Sequence, residues 1–206
     1  MSDKTSEYPL LPVMETFHTL QGEGAHTGRS AWFIRLGGCD VGCVWCDVKE
    51  SWDAAQHSPR SVEEITQDVI ASGAGFVVIT GGEPAAYDLT PLTRSLHSAG
   101  CEIALETSGA YPILGEFDWV CVSPKKFKNA LPEALQMADE LKVVIYHPSD
   151  LDWAEQNASM VNAACMAFLQ PEYSRLEQHA PMIVDYIKSN PRWRLSLQTH
   201  KVIHIP

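Results

Sequence analysis

Ala31-Trp32-Phe33-Ile34-Arg35-Leu36, followed at once by Gly37-Gly38-Cys39-Asp40-Val41-Gly42-Cys43-Val44-Trp45-Cys46-Asp47, joins an apolar run of strand length to a loop carrying three cysteines. The spacing is C-x3-C-x2-C, and the glycines loosen the loop so that its thiolates can gather. Three sulfurs can hold three corners of a four-iron, four-sulfur cluster ([4Fe-4S]) and leave the fourth iron without a protein ligand, free to bind and activate something else. Zinc is the competing reading, with Asp47, His57 or another residue as fourth ligand. Structural zinc usually draws its ligands as two close pairs, and no second Cys or His pair stands in this chain. The other three cysteines, Cys101, Cys121 and Cys165, are isolated in apolar runs and read as small buried hydrophobes. Spacing alone favours iron–sulfur over zinc and leaves both open.

Outward from this loop, strand-length apolar runs alternate with amphipathic stretches of helix length. Strands are expected at 31–36, 76–80, 101–106, 119–123, 141–146, 165–169 and 194–198. Helices are expected at 61–72, opened by a Ser61/Glu64 capping box and closed by Gly73, and at 90–98, 151–162 and 174–188. Residues 1–12 read as a loose, polar, proline-punctuated lead-in. Strands alternating with helices predict an α/β fold with a mostly parallel sheet, open or closed into a barrel. Ligands in such folds gather at the carboxyl ends of the strands. The loaded segments fall there: the cysteine loop, Gly81-Gly82-Glu83-Pro84, Thr107-Ser108-Gly109, Pro124-Lys125-Lys126 and Gln170-Pro171.

The chain has 206 residues, 45% hydrophobic and 20% charged, which fits one globular domain spanning 1–206. A formal charge of −11 argues against broad nucleic-acid binding, which needs a basic face. No apolar run approaches the ~18 residues of a membrane span, and the amino terminus shows no apolar signal core, so the cytoplasm is the expected compartment. Gly81-Gly82 lets backbone approach a ligand closely, and Glu83 could receive a ligand ammonium group. The plainer reading is a strand-to-helix turn with Pro84 at its start.

The cysteine triplet with Trp45 before its last member, then a strand and Gly-Gly-Glu-Pro, resembles the radical S-adenosylmethionine (SAM) superfamily. There the open iron is chelated by the methionine part of SAM, and the reduced cluster cleaves SAM to a radical that abstracts hydrogen. Residues 15–24 (Glu-Thr-Phe-His-Thr-Leu-Gln-Gly-Glu-Gly), Thr27-Gly28-Arg29, Phe33-Ile34-Arg35 and the tail from Gln198 to Pro206 resemble the 7-carboxy-7-deazaguanine synthase family. That resemblance implies a partial, TIM-like barrel of about six parallel strands with abridged helices. It also implies radical ring contraction of 6-carboxy-5,6,7,8-tetrahydropterin to 7-carboxy-7-deazaguanine with loss of ammonia, on the route to queuosine and related deazapurines.

Carried over by residue, the resemblance gives the cluster to Cys39, Cys43 and Cys46. It gives SAM to Gly82, Glu83, Glu106, Ser123, Lys125 and Gln170, with the backbone around Trp45 and Asp47. The pterin falls to Leu20, Gln21, Gly22, Glu23, Arg35, Thr80, His200 and the end of the chain at Pro206. The chemistry suits the types: a guanidinium grips a carboxylate bidentately, carboxylates and amides suit an aminopyrimidine edge, and Lys125 is a point charge for SAM's carboxylate. The family usually has Thr or Ser two residues after the last cysteine, binding Mg2+. Val48 stands there, and its side chain cannot ligate a hard cation, so magnesium is bound otherwise (Asp47, backbone or water) or is dispensable. A homodimer and a one-electron reductant such as flavodoxin are implied by resemblance only.

Plainer readings stand beside these. Arg35 could pair internally with Glu23, His200 could be a surface histidine, and Glu106 could cap a turn. Lys126 and Lys128 read as solvated, and Trp32, Phe33, Ile34 and Trp119 as core. Competing functions are a glycyl-radical enzyme activase, which leaves the Leu20–Gly24 segment and the tail without a purpose, and a non-catalytic iron–sulfur or zinc module, which needs a fourth protein ligand.

Overall fold

The structure, a computed structural model, describes residues 10–206. Its elements run β1 (Leu11–Leu20), β2 (Ser30–Leu36), β3 (Ser58–Arg60), α1 (Val62–Ser72), β4 (Phe76–Gly81), α2 (Thr90–Ser98), β5 (Glu102–Thr107) and β6 (Trp119–Val122). There follow α3 (Pro132–Met137), β7 (Glu140–Ile145), α4 (Asp150–Ala158), β8 (Met166–Pro171), α5 (Leu176–Ser189), β9 (Trp193–Leu195) and α6 (Thr199–Ile203). They build one nine-stranded sheet in the order β3-β1-β2-β4-β5-β6-β7-β8-β9. β1 is antiparallel to β2 and β3, and every pairing from β2 through β4, β5, β6, β7 and β8 to β9 is parallel. The sheet does not close, so the partial-barrel expectation holds, with seven parallel strands in place of about six.

Period-two alternation sorts each strand between two faces. From β2, Ile34 and Leu36 are fully buried in the core that α1 and α2 cover, while Phe33 and Arg35 face inward. From β7, Leu141, Val143 and Ile145 join the core that includes Ala154, Ala158 and Ile183 of α4 and α5, whereas Lys142 and Val144 face inward. Phe33 therefore lines the cavity instead of the main core, and Trp32 and Trp119 are only partly buried. Ile34, Cys101 and Cys121 are buried as expected, and Cys165 is half-buried. The capping box forms in both directions: Glu64 N–H donates to Ser61 Oγ at 3.2 Å, and Ser61 N–H to Glu64 Oε2 at 2.8 Å.

The main addition to the sequence expectation is β1. Residues 1–9 of the expected lead-in lie outside the described residues, but Leu11 and Pro12 already pair with Arg60 and Pro59. β1 carries Pro12, Glu15, Thr16, His18 and Thr19 as interruptions to an apolar run, and much of it is only half-buried, so local hydrophobicity does not mark it. Cross-strand pairing with β2, from Val13↔Leu36 to Leu20↔Ser30, makes it a strand. The expected helix at 151–162 ends at Ala158, and the last strand falls at Trp193–Leu195. The short β3, α3 and α6 carry too few residues for a periodic signal. Among the described residues no helix is long and apolar enough to cross a membrane.

The segment between β1 and β2 crosses the inner face of the sheet. Gly24 N–H donates to Ser196 Oγ at 2.9 Å, Ala25 N–H to Glu140 Oε2 at 3.0 Å, and Thr199 N–H to the Gly22 carbonyl at 3.0 Å. One loop can touch strands so far apart in the sheet order only because the sheet curves around it. A Cβ on Gly24, at φ +64°, would lie 1.9 Å from Glu140 Oε1, so this approach requires glycine.

Candidate active site

The curved inner face encloses a cavity of about 270 Å³. Cys39, Cys43 and Cys46 line it, as do Trp45, Asp47, Gly82, Glu83, Glu106, Ser123, Lys125 and Gln170. So do Leu20, Gln21, Gly22, Glu23, Arg35, Thr80, His200 and Pro206. Every residue that the resemblance gives to the cluster, SAM or the pterin therefore opens onto one space, with Val48 beside them.

The cysteine loop is fastened from two sides. Gly38 N–H donates to the Ser51 carbonyl at 2.6 Å and Cys39 N–H to the Trp52 carbonyl at 3.0 Å; Glu83 N–H donates to the Gly38 carbonyl at 2.8 Å. A Cβ on Gly82 would sit 2.4 Å from the Gly38 oxygen and 2.9 Å from Cys39 Cβ, so the diglycine turn packs directly beneath the first cysteine. Asp40 is tied outward by Lys128 at 2.8 Å and the Tyr111 hydroxyl at 2.7 Å. Lys128 is therefore partnered, as is Lys126 with Asp150 at 2.5 Å; neither is simply solvated.

All three thiols are free. Burial pushes Cys39 up and Cys43 up to about 11, so these positions favour thiols until a metal supplies the compensating positive charge. Among the described residues no fourth ligand joins them. His57 is absent from the cavity wall and its Nε2 lies 2.9 Å from the Glu50 carbonyl, while Asp47 is paired with Lys201. Among the described residues no three His, Cys, Asp or Glu side chains meet closely enough to hold a single ion. Three thiols without a fourth donor fit a cluster that keeps one iron open, and do not fit a structural zinc. For magnesium, the Val48 side chain offers no oxygen and its carbonyl accepts the Ser51 hydroxyl at 2.7 Å, while Asp47 pairs with Lys201 through Oδ2 alone.

Glu83, expected to receive a ligand ammonium, is engaged within the protein. Its carboxylate, 1% exposed, accepts Ala85 N–H at 3.0 Å, Ser108 N–H at 2.8 Å and the hydroxyls of Thr107 and Ser108. Four donors fill its acceptor positions, so a ligand ammonium would have to displace one of them. The side chain instead locks the turn after β4 to the end of β5. Beyond it, Lys125 Nζ donates to Ser123 Oγ at 2.6 Å, and burial pushes its ammonium down. Ser196 Oγ donates to Gln170 Oε1 at 2.7 Å.

On the opposite wall Arg35 does not pair with Glu23. Its Nε donates to Glu15 Oε1 at 2.7 Å, because antiparallel register puts residues 15 and 35 side by side. Glu23 and Glu106 instead share Lys142, whose Nζ lies 2.7 Å from Glu23 Oε2 and 2.8 Å from Glu106 Oε2. Glu106 is thus an ion-pair member and no turn cap. Lys142 escaped the sequence reading. A lysine inside Leu-Lys-Val-Val-Ile, at an inward position of a buried strand, is its one signal. Gln198, Phe17 and Trp52, also without an assigned role, line the wall too. His200 is packed so closely that a Cβ on Gly22 would lie 2.2 Å from its Nδ1, and burial pushes its pKa below the ordinary value. The Thr19 hydroxyl donates to the Pro206 oxygen at 3.2 Å.

A curved parallel sheet presenting three unpaired cysteines and a diglycine turn at its strand ends defines a radical SAM enzyme, and the Radical SAM superfamily model matches residues 33–142. The chain is 52% identical to the 7-carboxy-7-deazaguanine synthase of Flavobacterium psychrophilum, over 96% of this chain and 93% of that protein. It is 48% identical to the Synechocystis synthase, over 94% and 93%. The crystal structure of QueE from Escherichia coli superposes with a TM-score of 0.83 at 33% identity, covering 91% of this chain and 93% of that one. The chain belongs to the 7-carboxy-7-deazaguanine synthase family. Membership implies a [4Fe-4S] cluster and SAM as cofactors.

Proposed function

We propose that this protein converts 6-carboxy-5,6,7,8-tetrahydropterin to 7-carboxy-7-deazaguanine, with loss of ammonia, in queuosine or related deazapurine biosynthesis. The observation that carries the reading is that the three cysteines and the Gln21–Glu23–His200 edge open into one cavity of about 270 Å³. When bound, the cluster and SAM supply the radical that begins the ring contraction.

The chain's own residues bind, orient and exclude water. Cys39, Cys43 and Cys46 would hold the cluster. The backbone of Gly82, with Trp45, Ser123, Lys125 and Gln170, would hold SAM, and Glu83 would keep that turn in shape. Arg35 spends its Nε on Glu15 and keeps its terminal nitrogens for a substrate carboxylate. Gln21, Glu23 and His200 would take the aminopyrimidine edge, with Leu20, Gly22 and Thr80 shaping the space around it. Phe17 and Phe33, stacked 5.3 Å apart, close one side against water. The chemistry then needs positioning more than acid–base groups.

Residues 1–206 are read as one domain, with 198–206 completing the pterin side. The reading includes a homodimer in the cytoplasm and a one-electron donor such as flavodoxin. No step is routed through magnesium. The test is anaerobic reconstitution, reduction, and incubation with SAM and carboxytetrahydropterin. The deazaguanine product is expected, and its absence from a protein carrying four irons per chain overturns the proposal.

A further inference from the structure

The cavity floor holds a closed ring of hydrogen bonds. Glu23 N–H donates to Gln21 Oε1 at 3.1 Å, and Gln21 Nε2 to Glu106 Oε1 at 3.2 Å. Lys142 bridges Glu106 and Glu23 at 2.8 and 2.7 Å, and Gln198 Nε2 donates to Glu23 Oε1 at 2.9 Å. Lys142 is 3% exposed, whereas the side chains of Glu23 and Glu106 keep 17% and 18% exposure, so a buried ammonium holds two carboxylates that still open to the cavity. An ammonium has three donors, and two are committed to these carboxylates. Glu106 comes from β5, Lys142 and Glu140 from β7, Glu23 from the segment crossing the sheet, and His200 from α6. With Cys121 of β6 and with Lys125, these are the charged and titratable groups that face Glu23 or its lysine.

We propose that Lys142 is a positioning residue for the pterin: by bridging Glu23 and Glu106 it holds Glu23 as an aimed, ionised acceptor for the substrate's amino-pyrimidine edge. This rests on the pterin reading of the site. A carboxylate accepts two hydrogen bonds from an amino group and a neighbouring ring N–H, whereas a carboxylic acid turns one acceptor into a donor. Burial pushes the Glu23 carboxyl up, and the Lys142 ammonium, together with the Gln198 hydrogen bond and His200, more than reverses this, bringing it to about 2. Without the lysine, the upward push of burial is opposed only by the Gln198 hydrogen bond and the weaker pull of His200, so the Glu23 carboxyl moves up toward binding a proton.

The test is equilibrium binding of carboxytetrahydropterin to the reconstituted, unreduced holoenzyme, measured by anaerobic calorimetry from about pH 5.5 to 8. It needs no turnover, and product formation by wild type, run alongside, checks the reaction separately. Wild-type affinity is expected to be flat over this range. Lys142→Met is expected to weaken binding about 10- to 100-fold at the acid end and to recover as pH rises. Lys142→Arg should stay within about threefold of wild type throughout, since the charge is kept. Glu23→Gln should bind weakly at every pH, and in the Lys142→Met background should cost little more at the acid end. A uniform, pH-independent loss in Lys142→Met overturns the proposal and leaves the lysine a packing element. Should Lys142→Met fail to fold, Lys142→Arg with Glu23→Gln decides: wild-type affinity in Glu23→Gln, or an Arg variant as weak as Glu23→Gln, overturns it.

Discussion

Val48 and Gly22 show how far one side chain can redirect this site. With valine at 48 and Asp47 paired to Lys201, wild-type turnover is expected to change less than about twofold when magnesium is chelated. Val48→Thr restores a hydroxyl beside the cavity and should bring a magnesium requirement; product formation with chelator and with added Mg2+ reads both. Magnesium-dependent collapse of the wild type would show that other oxygens hold the ion. At Gly22 the backbone is ordinary, but an added Cβ would meet His200 Nδ1 at 2.2 Å. Gly22→Ala should therefore displace the imidazole and weaken pterin binding about tenfold while leaving the melting temperature nearly unchanged. Calorimetry and thermal denaturation separate these effects.

Between elements, the recurring device is a buried carboxylate spent on backbone N–H groups and hydroxyls from a second segment. Glu83 joins the turn after β4 to the end of β5 through four donors. Glu83→Gln halves its acceptor capacity and should cost about 1–3 kcal/mol, since buried donors are left unmet. Because the Glu83 N–H also holds Gly38, iron retained after reconstitution should fall with it. The capping box of α1 lies far from the cavity and makes a useful contrast. Ser61→Ala should cost about 1 kcal/mol without changing iron content. Denaturant unfolding and iron analysis on the two variants would show whether the turn, and not overall stability, governs the cluster loop.

At the scale of the whole molecule, folding commits charge to the inner face of the sheet. Glu23 is held at about 2, below its ordinary 4.5, so its stabilisation is present above about 4.5 and is lost as pH falls toward 2. Glu140 works the other way. Burial raises its pKa in the fold, so its contribution is full below about 4.5 and is lost as pH rises through the raised value. It is 2% exposed and accepts Ala25 N–H at 3.0 Å and Trp119 Nε1–H at 3.2 Å, bonds that an amide oxygen can also accept. Glu140→Gln is expected to raise the melting temperature at about pH 8, with a gain on the order of 1 kcal/mol, and to make no difference near pH 4. A lower melting temperature at both would mean that the carboxylate's charge is needed against Lys142.

The cysteine spacing, the Gly-Gly-Glu-Pro turn and most parallel strands could be read from the chain because their signals are local: fixed offsets, period-two burial, a cap three residues from its partner. β1 could not, since its polar, half-buried residues become a strand only through pairing with β2 and β3. Nor could the partners of the charges. Arg35 meets Glu15 instead of Glu23 through antiparallel register, Glu83 spends its carboxylate on β5, and Lys142 joins Glu23 and Glu106 across the curved sheet. Residue type states what chemistry a side chain can perform. Which opposite charge it meets, and whether water is present to weaken that meeting, depends on segments distant in the chain that only the folded sheet brings within 3 Å.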